Sequence, residues 1–122
     1  MMDDVAKHLR SYRFRWHNEA SLQKAVHLAL KSGPWKVDRE HRLSESDRVD
    51  FYLTSADGLR LAVELKVQGD MESVQRQVAR YAASTKVDGV LLVSTSNRLA
   101  IGLADTASDK PVRSVVLSGG LL

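Results

Sequence analysis

Two neighbouring segments constrain this chain more than anything else in it. Residues 48–54 (RVDFYLT) and 60–67 (RLAVELKV) both alternate apolar and polar side chains, which is the period of a strand with one buried face. In the first, Val49, Phe51 and Leu53 are expected on one face, with Asp50 and Tyr52 on the other. In the second, Leu61, Val63, Leu65 and Val67 form the apolar face, opposite Ala62, Glu64 and Lys66. Ser55-Ala56-Asp57-Gly58 between them carries the turn residues of a hairpin. A slip of one residue would turn a whole apolar set to the wrong side, so the two apolar faces must match. That requires an odd loop. Ala56–Asp57–Gly58 supplies one, with Gly58 where a left-handed residue is needed. The register then pairs Leu53 with Leu61 and Phe51 with Val63, and it sets Asp50 opposite Glu64.

The rest of the chain arranges itself around this hairpin. A short helix is expected over residues 4–12. A clearer one follows over 19–31, capped by Asn18 and ended by Gly33-Pro34, with Leu22, Val26, Ala29 and Leu30 on one face and Glu19 at its edge. Residues 35–43 read as a strand. Asp70 caps a helix over 71–84, whose stripe is Met71, Val74, Val78 and Ala82; Gln77 and Tyr81 lie beside it, one turn apart. Residues 87–95 (VDGVLLVST) are nearly continuous in apolar character, the mark of a strand covered on both faces. The strand–helix–strand order implies a right-handed crossover to a parallel neighbour. A short helix over 97–107 and a strand over Pro111–Ser118 complete the order. The expectation is a mixed sheet flanked by helices, in one α/β domain over residues 1–122.

The composition excludes several chemistries. With no cysteine, thiolate metal sites, disulfides and cysteine nucleophiles are ruled out. No apolar run is long enough for a membrane helix, and the acidic start Met-Met-Asp-Asp lacks a signal-peptide core. A soluble cytoplasmic protein is the expectation. No serine sits in a nucleophile-elbow motif and no glycine-rich phosphate loop is present. His8, His17, His27 and His41 show no metal-ligand spacing. The net charge of +3 is mildly basic, and its clustering matters more. Residues 7–17 (KHLRSYRFRWH) contain Lys7, Arg10, Arg13 and Arg15 without an acid, interleaved with Tyr12, Phe14 and Trp16. Arginines there suit phosphates and the rings suit base stacking. The same pattern also suits a solvated helix end whose aromatics pack on the core. Arg76 and Arg80 project from the outer face of the third helix, as solvated charges or as further phosphate contacts.

The hairpin raises an electrostatic question. Opposed residues in a strand pair have Cβ atoms about 5 Å apart. At an effective dielectric near 20, two carboxylates at that distance repel by roughly 3 kcal/mol. A divalent cation between Asp50 and Glu64 converts that cost into ligation, and carboxylates with water and phosphate are the usual shell of Mg²⁺. Lys66 lies about 7 Å further along the strand, on the face of Glu64. An ammonium there neutralises the acids, holds an attacking water or offsets charge on a phosphorane. The plainer alternative is a solvated Glu-x-Lys on a strand face.

Arg-Val-Asp50, thirteen residues, then Glu64-Leu65-Lys66 resembles the core motif of the PD-(D/E)XK, or restriction-endonuclease-like, nuclease superfamily. The element order also resembles that family's αβββαβ core, over residues 19–95. The resemblance implies a nuclease domain in which Asp50 and Glu64, joined by the Leu65 carbonyl, bind Mg²⁺ or Mn²⁺ and Lys66 positions the water. Glu19 matches the acid that many members carry on the preceding helix. Gln77-Val78-Ala79-Arg80-Tyr81 is similar to the Gln-x-x-x-Tyr helix motif of one branch, with Gln75 a competing glutamine. Val49 stands where the motif's proline would be. Glu40 is a further acid near the site, ranked first as a surface residue. The implied substrate is DNA, with RNA or branched DNA as variants, and a homo-oligomer is expected because a minimal core has little surface for gripping a duplex. The rivals are a catalytically inactive nucleic-acid-binding or scaffold protein of the same fold, another metal-dependent phosphoesterase, and an interaction module with a coincidental motif.

Overall fold

The computed structural model describes residues 1–121. The elements are α1 (Met2–Arg10), β1 (Arg13–Trp16), α2 (Glu19–Lys31), β2 (Lys36–Arg42), β3 (Arg48–Thr54), β4 (Arg60–Lys66), α3 (Met71–Ala82), β5 (Gly89–Ser94), α4 (Asn97–Ile101), β6 (Thr106–Ala107), β7 (Lys110–Val116) and β8 (Ser118–Leu121). Six strands form a mixed sheet in the order β2-β3-β4-β5-β7-β6. The β2-β3-β4 meander is antiparallel, β4, β5 and β7 run parallel, and β6 is an antiparallel edge. α3 forms the crossover from β4 to β5, where one was expected.

The helix ends follow from local chemistry. Asn18 accepts a hydrogen bond from the Ser21 amide at 2.9 Å, and the Ser21 hydroxyl accepts from the Asn18 amide at 3.1 Å. This reciprocal box opens α2 and is worth about 1 kcal/mol. Asp70 caps α3 through the Ser73 amide at 2.8 Å. α2 stops at Lys31, with Ser32 as its C-cap, before Gly33 is reached.

The sheet is covered on both faces. On one side α1 and α2 bury Val5, Leu9, Leu22, Val26 and Leu30 against Phe51, Leu53, Leu61, Val63 and Leu65. On the other, α3 and α4 bury Val74, Val78, Tyr81 and Leu99 against Tyr52, Ala62, Val90 and Leu92. β5 belongs to both layers, with Leu91 and Val93 in the first and Val90 and Leu92 in the second. Hence residues 90–93 are apolar without a break. The hairpin loop is the expected three residues: Ser55 and Leu59 close it, and Gly58 has φ +88°. Leu53 pairs with Leu61 and Phe51 with Val63, as the register argument requires.

Several expectations need correction. The first helix ends at Arg10, and residues 13–16 of the basic segment form a strand, not a helix end. β1 pairs in parallel with β8, a small second sheet that was not anticipated. Phe14 and Trp16 alternate inward and are buried in the first core layer, which removes them as base-stacking platforms. Gly119 permits the β1–β8 pairing: its φ is +136°, and a Cβ there would lie 1.8 Å from the Phe14 carbonyl oxygen. The helix expected over 97–107 covers only Asn97–Ile101 before the chain turns into β6.

The most consequential correction lies in β3. Val49 does not share a face with Phe51 and Leu53; it packs in the second layer with Tyr52 and Ala62. The strict alternation therefore breaks at Asp50. β2 breaks at the matching step. Arg39 pairs with Phe51 and His41 with Val49, but the step between them, Glu40 with Asp50, is missing from the ladder. Glu40 has φ +52°, a conformation that L side chains seldom adopt. Such breaks re-aim side chains near functional sites, and this one occurs at the carboxylate of interest.

Candidate functional site

β3 and β4 do not remain paired to their ends. The ladder runs from Thr54–Arg60 to Phe51–Val63 and stops there. Asp50 is thus not a ladder partner of Glu64, although it occupies the next step. Side chains take over the bonds that the backbone gives up. The Glu64 carboxylate (Oε1) accepts the Asp50 amide at 3.2 Å, and the Asp50 carboxylate (Oδ2) accepts the Leu65 amide at 2.8 Å. Each acid is therefore anchored on the other's strand. The Asp50 and Leu65 amides are thus satisfied where the strands part, as buried amides require.

The second oxygen of each acid is held by a glutamine. Gln23 on α2 donates to Asp50 Oδ1 at 3.0 Å, and Gln77 on α3 donates to Glu64 Oε2 at 3.1 Å. The two helices lie on opposite faces of the sheet, so Asp50 and Glu64 are gripped from opposite sides. Gln77 also donates to the Tyr81 hydroxyl at 2.8 Å, which itself donates to the Arg48 carbonyl at 3.1 Å. The one-turn spacing of Gln77 and Tyr81 thus makes a continuous chain from β3 to the Glu64 carboxylate. Gln75, the competing glutamine, points elsewhere and donates to the Gly102 carbonyl.

Glu64 is 5% exposed, yet its counter-ion is loose: the Lys66 ammonium is 3.8 Å from Oε2. Burial first, and the Asp50 charge second, push the Glu64 carboxyl up to about 7. Asp50 is also raised, mainly by burial, against the pull of the Leu65 amide and the Lys66 charge. Both acids therefore hold their protons more tightly than free carboxyls do, chiefly because they are buried. Glu19, Gln23, Asp50, Glu64, Leu65 and Lys66 line one cleft open to solvent. Among the described residues no group of three or more His, Asp or Glu is spaced to hold a metal ion. The closely held acids are the Asp50–Glu64 pair, with the exposed Glu19 on the rim.

The remaining candidates fall outside this cleft. Arg10, Arg13 and Arg15 are exposed, on α1 and β1, and none lines it. Glu40 is exposed at the β2 break. Arg80 pairs with Asp47 at 3.1 Å and Arg76 with Glu72 at 2.9 Å. Both arginines line a second groove along α3 that shares Lys66 and Gln77 with the site. His41 stacks on Tyr52 with ring centroids 4.2 Å apart, a packing role. Gln23 and Arg39 were missed from sequence. The available signal was Gln23's place one turn after Glu19, but a polar residue on a helix edge has no distinguishing pattern. Among the described residues, no helix is long and apolar enough to cross a membrane. The chain matches no family model, no curated protein and no solved structure.

Proposed function

We propose that this protein is a metal-dependent nuclease that hydrolyses phosphodiester bonds in DNA. The observation that carries the reading is the pair of mutually anchored carboxylates, Asp50 and Glu64, under-neutralised at the mouth of a cleft with Lys66 beside them. The order α2-β2-β3-β4-α3-β5 and the Gln77–Tyr81 contact to Glu64 support the likeness to PD-(D/E)XK nucleases.

The residues fit a hard divalent cation. Two acids whose charge is unmet offer oxygen donors, the preference of Mg²⁺ and Mn²⁺. Asp50 and Glu64 would hold the ion, with the Leu65 carbonyl next to them and Glu19 within the same cleft. Such an ion supplies Lewis acidity and stabilises charge at the phosphoryl group. The chain's own residues do the rest. Lys66, partly exposed and only loosely paired, is free to orient an attacking water and to offset charge on the phosphate. Gln77 and Gln23 keep both carboxylates facing the cleft. Because two backbone amides and two glutamines hold the carboxylates despite their repulsion, the pair is already arranged before any cation arrives, which lowers the reorganisation needed at the reaction.

The test is cleavage of single-stranded, double-stranded and branched DNA, and of RNA, with Mg²⁺, Mn²⁺ or EDTA. Wild type is expected to cleave DNA only with the metal, and Lys66→Ala to lose at least about 100-fold. Equal behaviour of the two proteins would remove the nuclease reading. Nucleic-acid binding without cleavage in any metal would instead favour an inactive binding protein of this fold.

A further inference from the structure

Asp50 is reached by a relay that begins outside the cleft. Arg39, on β2, donates from its guanidinium to Gln23 Oε1 at 2.8 Å, and Gln23 donates from Nε2 to Asp50 Oδ1 at 3.0 Å. Arginine has only donors. It therefore accepts no amide hydrogen and forces the Gln23 oxygen toward itself, which leaves the Gln23 NH₂ facing Asp50. With Leu65 donating to Oδ2, each Asp50 oxygen has one fixed donor and the carboxylate plane is set.

The chemistry of the middle residue matters. A lysine or arginine at position 23 would orient Asp50 equally well but neutralise it and compete with a cation. A glutamine orients the carboxylate and leaves its charge in place. The Arg39 charge is held one amide away. The break in the β2–β3 ladder enables this, because Arg39 and Asp50 come to the α2 side together where regular alternation would separate them.

We propose that Gln23, oriented by Arg39, is a positioning residue that sets the Asp50 carboxylate for a divalent cation. This rests on the reading of Asp50 and Glu64 as a metal site, and the experiment separates the two. Mn²⁺ alone, without nucleic acid, is titrated into the metal-free protein by calorimetry. Relative to wild type, Gln23→Leu and Arg39→Met are expected to weaken binding by about tenfold or more, the usual effect of losing a partner behind a metal ligand. Arg39→Lys, which keeps a donor, should recover part of it. In parallel, the Gln23 side-chain amide is followed by ¹H–¹⁵N NMR in EDTA. It should be ordered in wild type and mobile in Arg39→Met, with backbone spectra elsewhere unchanged. If wild type binds no Mn²⁺, the metal reading and the proposal built on it both fall. If wild type binds and both variants stay within twofold, or the amide remains ordered in Arg39→Met, the positioning role is overturned while the metal site stands.

Discussion

Glu64→Gln should make the metal-free protein more stable at neutral and alkaline pH, relative to wild type. The Glu64 carboxyl rises from 4.5 to about 7 on folding, chiefly through burial and then through the Asp50 charge. Its folded value lies above its unfolded value. The stability it contributes as a neutral group is therefore fully present below pH 4.5, is lost as pH rises to about 7, and stays lost above that. The loss is on the order of 3 kcal/mol, which for a domain of this size is roughly 10 °C in Tm. Asp50, also raised, adds in the same direction. His27 works against it: burial and the nearby Arg39 and Lys31 charges lower its pKa, so its contribution grows as pH rises through the ordinary histidine range. The variant carries the same His27, so the difference between variant and wild type reports Glu64 together with its coupling to Asp50. Gln at 64 keeps an oxygen for the Asp50 amide, and Gln77 must turn its own amide over. The growth of the difference with pH is thus the diagnostic, not its absolute value. Thermal and urea unfolding in EDTA, from pH 5 to 8.5, should show a small difference at pH 5 that widens and levels off above pH 7. Added Mn²⁺ should close the gap by stabilising wild type alone, by about 2.7 kcal/mol at 100 times its Kd. A difference that is constant with pH would refute the argument that Glu64 is a buried, under-neutralised acid.

Other outcomes follow from the same structure. Gln77→Ala should lower cleavage about 10- to 100-fold by freeing Glu64 Oε2, whereas Gln75→Ala should stay within twofold, since it touches only the Gly102 carbonyl; initial rates on one DNA substrate decide it. Gly119→Ala places a Cβ against the Phe14 carbonyl and strains a positive φ, so it should destabilise by about 1–3 kcal/mol and release β8, read as lost amide protection over 13–16. Phe14→Ala should cost about 3–5 kcal/mol in urea unfolding, because the ring is 4% exposed. Arg15→Ala, on the opposite face of the same strand, should cost less than about 0.5 kcal/mol.

The sequence alone determined what depends on short-range order. The bounds of α2 and β3, the three-residue loop, the pairing of Phe51 with Val63 and the buried character of β5 all follow from capping residues, alternation and turn chemistry within a few positions of each element. Gln77 and Tyr81 were recognisable because four residues is one helical turn. Only the tertiary structure decided the rest. The four-residue β1 becomes a strand by pairing with β8 about a hundred residues away, through a Gly-Gly that no alternation marks. The alternation of β3 is broken at Asp50 by its β2 neighbour, where Glu40 takes a positive φ, and nothing in residues 48–54 announces it. Gln23 joins the site because α2 packs over that break, a contact across 27 positions. That the two acids sit at neighbouring positions of one hairpin can be inferred from period two; that the ladder opens between them, and which helix holds each, is a property of the packed layers.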